Sequence, residues 1–167
     1  LRILMKILHF KRVAQLIFGF SLFVSVCLYG QESPVKPFGE VSLEEMKITG
    51  CPYDSSATAM ILFDKGDAEM DVSRGSSFKR HVRIKIFKKE AADDWATNVV
   101  YFDRIGEFFS KFKASTYNLV DGKIVETKIG EDALFRGKFD KYTNQARFTL
   151  PQVIDGSILE YSYTISS

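Results

Sequence analysis

Apolar and polar positions alternate most strictly in "FKRHVRIKIF", residues 78–87, where Val82, Ile84 and Ile86 share one face and His81, Arg83 and Lys85 the other. A period of two is the signature of a strand that packs on one side and meets water on the other. "SILEYSYTI" repeats the pattern near the end of the chain, with Leu159, Tyr161, Tyr163 and Ile165 opposite Glu160, Ser162 and Thr164. Between them, "FKASTYNLV" and "KIVETKI" flank Asp121-Gly122, a pair whose ready adoption of positive φ makes it a strong hairpin signal. "ATAMILF", "TNVVYF" and "ARFTLP" have strand length and composition, and "DKGD" at residues 64–67 reads as a turn into "AEMDV". "KEAADDWA" predicts one or two helical turns, and residues 130–144 a loop holding at most one short strand. Ser42 followed by Glu45 fits a capping box that starts a short helix over Ser42 to Met46.

Seven to nine strands at regular spacing predict an all-β fold, an antiparallel β-sandwich with one or two short helical segments. Residues 55–167 would form this domain, preceded by a lead-in linker over 31–54. The 15 Phe and 7 Tyr among 167 residues strengthen the β reading, because aromatic side chains suit a half-buried pleated surface.

The first thirty residues break the pattern. From Met5, the expected start, Lys6, His9, Lys11 and Arg12 precede the apolar run "VAQLIFGFSLFVSVCLY" and small Gly30. Basic, apolar and small residues in that order predict a signal peptide over residues 1–30 and an exported protein, periplasmic, extracellular or on the cell surface. A retained anchor is the competing reading, since this 17-residue run, broken only by Gln15, Gly19, Ser21 and Ser25, sits at the lower limit of a spanning helix. Val26 before Cys27 departs from the small residue that lipid attachment requires. Cleavage would leave no membrane segment and would remove Arg2, Lys6, Lys11 and Arg12, so that 19 of the 23 basic residues face 21 acidic ones. The resulting charge of −2 argues against nucleic-acid binding, which needs a basic surplus on one face.

Candidate chemistry is sparse. After cleavage Cys51 is the one thiol and His81 the one histidine. Cys51 precedes Pro52 rather than a helix, where its pKa would fall, and His81 lies between two cations with no carboxylate close in sequence. One Cys and one His cannot make a zinc shell, and "DKGDAEMD" lacks the register of a calcium loop. No catalytic residue, cofactor or metal is therefore expected. The polar strand face of Lys79, His81, Arg83 and Lys85 is the one candidate site, a cationic surface for an anionic glycan or lipid head group.

The order of the segments carries a further signal. "KASTYNLVDGKIVETK" and "RFTLPQVIDGSILEYSYTI" resemble a bacterial domain of unknown function, found in secreted Bacteroidota proteins directly before a transglutaminase-like domain. The resemblance rests on Ala114, Thr116, Tyr117, Asp121 to Lys123, Val125, Glu126, Pro151, Gly156, Ser157, Glu160 and Tyr161, and spans about residues 55 to 167. It implies a noncatalytic, exported β-sandwich that packs against or positions a downstream transglutaminase-like domain of the same polypeptide. The strand-quality ending at Ser167 fits a chain cut at that domain border. The alternative is a stand-alone binding module that uses the cationic face.

Overall fold

The computed structural model describes residues 35–167, so the expected signal peptide lies outside the described residues. A short helix, α1 (Leu43–Met46), leads into eight strands. These are β1 (Ala59–Asp71), β2 (Gly75–Ile86), β3 (Thr97–Asp103), β4 (Phe108–Val120), β5 (Lys123–Ile129), β6 (Phe135–Lys138), β7 (Thr143–Thr149) and β8 (Ile158–Ser166). Between β2 and β3 a 3-10 turn, Lys89–Ala91, runs into a second helical turn, α2 (Ala92–Trp95). Another 3-10 turn, Glu131–Ala133, precedes β6.

The strands form two antiparallel sheets, one in the order β1-β2-β8-β4-β5 and one in the order β3-β7-β6. The inward faces of the two sheets make the core. Val82, Ile84 and Ile86 of β2, Leu159, Tyr161 and Tyr163 of β8, and Phe109, Phe112 and Ala114 of β4 come from the larger sheet. Val100 of β3 and Ala146 and Phe148 of β7 meet them from the smaller one. Aromatic rings bridge the layers: Phe148 lies 4.8 Å from Phe112 and 5.3 Å from Tyr161 between centroids. The fold is thus an all-β sandwich with few short helices, as the alternation predicts.

The hairpin signal holds. Asp121 (φ 50°) and Gly122 (φ 75°) join β4 and β5 as a two-residue turn, with Val120 opposite Lys123. Positive φ at both positions gives the turn the hand that matches strand twist.

Residues 64–67 are not a turn. β1 continues unbroken to Asp71, and the reversal falls at residues 72–74, where Asp71 Oδ1 accepts hydrogen bonds from the amides of Ser73 and Arg74. Cross-strand partners on β2 outweigh the local turn composition: Asp64 takes two hydrogen bonds from Arg80, at 2.9 and 2.6 Å, and Asp67 stands opposite Lys79. Gly66 has a packing role there, since a Cβ would lie 2.8 Å from Phe78 Cε2.

The polar face of β2 is covered from His81 to Lys85, while Lys79 on the same face stays exposed. Residues 35–46 of the expected linker fold back over one end of the outer face of the larger sheet and form a third layer there. Met46 of α1 packs with Tyr117 and Ile158 in a small second core, helped by Val41, Leu62 and Ile124. Strand alternation gives each sheet two faces, and it cannot say which segment will cover the second.

Phe148 is the pivot of the inter-sheet layer, and replacing it should leave a cavity that the rigid sheets fill poorly. Phe148→Ala is expected to lower stability by about 3–5 kcal/mol in urea unfolding. A loss below about 1 kcal/mol would contradict close packing between the sheets.

Candidate functional site

The outer face of the larger sheet holds a buried ionic cluster. β2 and β8 pair so that Arg83 stands opposite Glu160, with His81 and Lys85 two residues to either side of Arg83. Arg83, Lys85 and Glu160 are fully buried and His81 nearly so, at 8% exposure. Charges at that depth persist only when paired and hydrogen-bonded.

Glu160 is the centre. Its Oε1 accepts from Arg83 Nη2 at 2.7 Å and Nε at 3.2 Å, and lies 2.7 Å from His81 Nε2; its Oε2 accepts from the Gly39 amide at 3.1 Å. Gly39 holds φ +93°, a conformation that side-chain-bearing residues rarely adopt, and so can turn its amide onto the carboxylate. Burial alone would raise the Glu160 pKa. The hydrogen bonds from His81 and Arg83, the Arg83 charge and the Gly39 amide outweigh it and hold the group below 4.5.

Arg83 spends its remaining donors on the lead-in. Nη1 donates to Glu45 Oε1 at 2.8 Å and to the Glu40 carbonyl at 3.1 Å, and Nη2 reaches the Pro37 carbonyl at 3.3 Å. With the Glu160 bonds this makes five hydrogen bonds for a group with five N–H donors. Lys85 Nζ donates to the carbonyls of Met46, at 2.7 Å, and Gly156, at 2.5 Å. Burial depresses the Lys85 pKa to about 8.

Glu45 closes the assembly. It is residue N3 of α1, and the predicted capping box forms: its Oε2 accepts from the Ser42 amide at 2.7 Å while Ser42 Oγ accepts from the Glu45 amide at 3.3 Å. The same side chain pairs with Arg83 and, at 3.2 Å, with Lys36. Phe63 lies edge-on to His81 at 4.8 Å, and Arg83 sits 5.1 Å over its ring. A neighbouring group extends the cluster: Ser115 Oγ and Tyr117 Oη both donate to Glu126 Oε1, at 2.8 and 3.1 Å. Burial, with the nearby Glu160 charge, pushes the Tyr117 pKa up.

The four sequence-predicted site residues therefore part company. His81, Arg83 and Lys85 come together but meet the chain's own acceptors under the lead-in, while Lys79 stays exposed outside the cluster. Glu45 and Glu160 are the residues that the cationic-face reading missed. Glu160 was legible as an outward carboxylate on its strand; its partnership needed the β2–β8 register. His81 and Glu160 have the contact of a base with its orienting carboxylate, but no hydrogen bond joins the free thiol of Cys51 to His81. Among the described residues no His, Cys, Asp and Glu group could hold a metal ion.

Two predictions follow from the buried charges. Glu160→Gln should cost about 3–5 kcal/mol at pH 7, because it leaves Arg83 buried beside a neutral group. Glu160 titrates below 4.5 when folded, so its stabilisation is complete above that pH and is lost as pH falls through the lowered value. The gap between wild type and variant should accordingly narrow towards pH 3, and an undiminished gap there would refute the assignment. Lys85 gives a slope of the same sign in a different pH window, here because burial disfavours its charged form. Its folded pKa of about 8 lies below the ordinary 10.5, so the unfolded chain binds the extra proton and stability should rise between those values. Lys85→Met should remove that rise in urea titrations compared pH by pH with wild type.

Comparison with known proteins places these residues. Residues 73–167 match the model of a domain of unknown function, DUF3857. No curated protein matches. Among solved structures, the chain is similar to a "putative protease" of Parabacteroides distasonis, with TM-score 0.57 and 12% identity over 66% of this chain. At that identity the likeness is one of fold, and it spans 23% of the other protein's length. The family match covers β2 to β8 and with them His81, Arg83, Lys85, Glu126 and Glu160, leaving Glu45 and β1 outside it. The chain belongs to the DUF3857 family of domains of unknown function.

Proposed function

We propose that this domain is a noncatalytic, exported module that packs against or positions a downstream transglutaminase-like domain in the same polypeptide. The observation that carries the reading is the internal commitment of the polar cluster. Arg83, Lys85 and Glu160 are buried, and their hydrogen bonds hold the lead-in against the sheet. The side chains that carry the family pattern, Tyr117, Glu126 and Glu160, thus serve architecture, and nothing in their arrangement presents a nucleophile to a substrate. The Parabacteroides protein supports a modular role, since a similar fold makes up under a quarter of a longer chain. Export rests on the basic, apolar and small order of residues 5–30.

The other reading, a stand-alone module that binds an anionic glycan or lipid head group through Lys79, His81, Arg83 and Lys85, loses three of those residues to the buried cluster.

The gene beyond codon 167 is the first measurement, and the two-domain protein the second. A transglutaminase-like domain should follow, and calorimetry of the joined protein should show this domain melting at a higher temperature than alone. A stop codon at that point, or two transitions unchanged by linkage, would sink the proposal.

A further inference from the structure

The outer face of the larger sheet is divided. The lead-in covers the end that holds Arg83, Lys85 and Glu160, and stops short of the other end. There an open groove of about 1230 Å³ runs across β1, β2, β8 and β4, with Phe38 of the lead-in as part of one wall. Its floor follows the register, with Lys65 opposite His81, His81 opposite Ser162, and Lys79 opposite Thr164.

The lining is cationic, with five lysines against Asp67 and Glu69. Lys36 and Lys65 are paired, with Glu45 at 3.2 Å and Asp67 at 3.1 Å, and Lys113 lies 5.8 Å over the Phe38 ring. Lys79 and Lys111 are exposed and have neither an ion pair nor a hydrogen bond among the described residues. Lys111 is placed there by a backbone irregularity. β4 turns Phe109 and Phe112 into the core, and the register with β8 shifts between Ser110 and Lys113. Lys111 is the extra residue, at φ 53°, so both Lys111 and Lys113 reach the groove from one strand. A lysine gains nothing local from the left-handed conformation, and bulges recur where a side chain must be re-aimed. Beneath the lysines, Ser162 and Thr164 are small residues whose hydroxyls accept and donate no hydrogen bond among the described residues.

We propose that this groove binds a carboxylated or sulfated glycan chain. Clustered, unpaired ammonium groups in a concave site raise the local concentration of anions, and lysine meets carboxylate or sulfate as a point donor. The free hydroxyls can donate and accept, as sugar hydroxyls require. A peptide is the poorer fit on the groove floor: β2, β8 and β4 are interior strands with ladder partners on both sides, which leaves the outer edge of β1 as the one backbone edge beside the groove among the described residues. The site lies beside the buried cluster and shares its rim, at His81, Lys36 and Pro37; it does not depend on the downstream-domain reading.

The test is affinity electrophoresis and calorimetry of the purified chain at low salt. The probes are polygalacturonate and heparin, with dextran as the uncharged glycan, poly-glutamate as the acidic peptide and phosphatidylglycerol vesicles as the lipid surface. Binding to polygalacturonate or heparin but not dextran is expected, weakened by roughly five- to tenfold in K79S/K111S. The K123S/K138S variant, with the same charge change elsewhere, should bind like wild type. All four lysines are exposed, so thermal unfolding should be unchanged in both variants. No binding to either anionic glycan, equal weakening in K123S/K138S, or tighter binding to poly-glutamate or the vesicles would overturn the proposal. Each result is independent of the melting of the two-domain protein.

Discussion

A carboxylate with no access to water sits at the centre of this fold. Glu160 stays ionised in the folded chain because His81, Arg83 and the Gly39 amide together supply the solvation that burial removes. That requirement organises the surrounding structure. β2 must pair with β8 in one register to bring Arg83 opposite Glu160, and the lead-in must return across the sheet to deliver Gly39 and Glu45. A one-residue slip of either strand would send these charges into the apolar layer between the sheets. Desolvation offsets much of the attraction within these pairs, so breaking one costs more than its formation gains.

Much of the sandwich was legible in the sequence because alternation is a local property. Tyr161 and Tyr163 point into the core as their spacing requires, the Asp121-Gly122 turn closes its hairpin, and Ser42 and Glu45 cap their helix. The misplaced turn at residues 64–67 marks the limit of local reasoning, since Arg80 and Lys79 of the neighbouring strand keep that acidic stretch extended. The fate of His81, Arg83 and Lys85 marks another. Polar side chains on a strand face normally mean water, but here they meet a carboxylate on a strand far away in sequence and acceptors of a segment some forty residues upstream. No window of sequence contains all the partners.

Both halves of that outer face use cations, in opposite ways. Under the lead-in the cations are neutralised, shielded and geometrically committed. In the groove beyond it, Lys79 and Lys111 are exposed and have no ion pair among the described residues. The boundary falls at His81, which lines the groove while holding Glu160 from below.

Glu45 ties the start of α1 to the sheet. One side chain closes the first turn of α1 through Ser42 and also anchors that turn to the sheet through Arg83. Fraying the helix start releases the ion pair, and breaking the ion pair frees the carboxylate that holds the helix start. Local and tertiary order are therefore coupled at this carboxylate, beside the anchors that Gly39, Pro37, Glu40 and Met46 supply independently. A single substitution at Glu45 thus removes the helix cap and its tie to the sheet together.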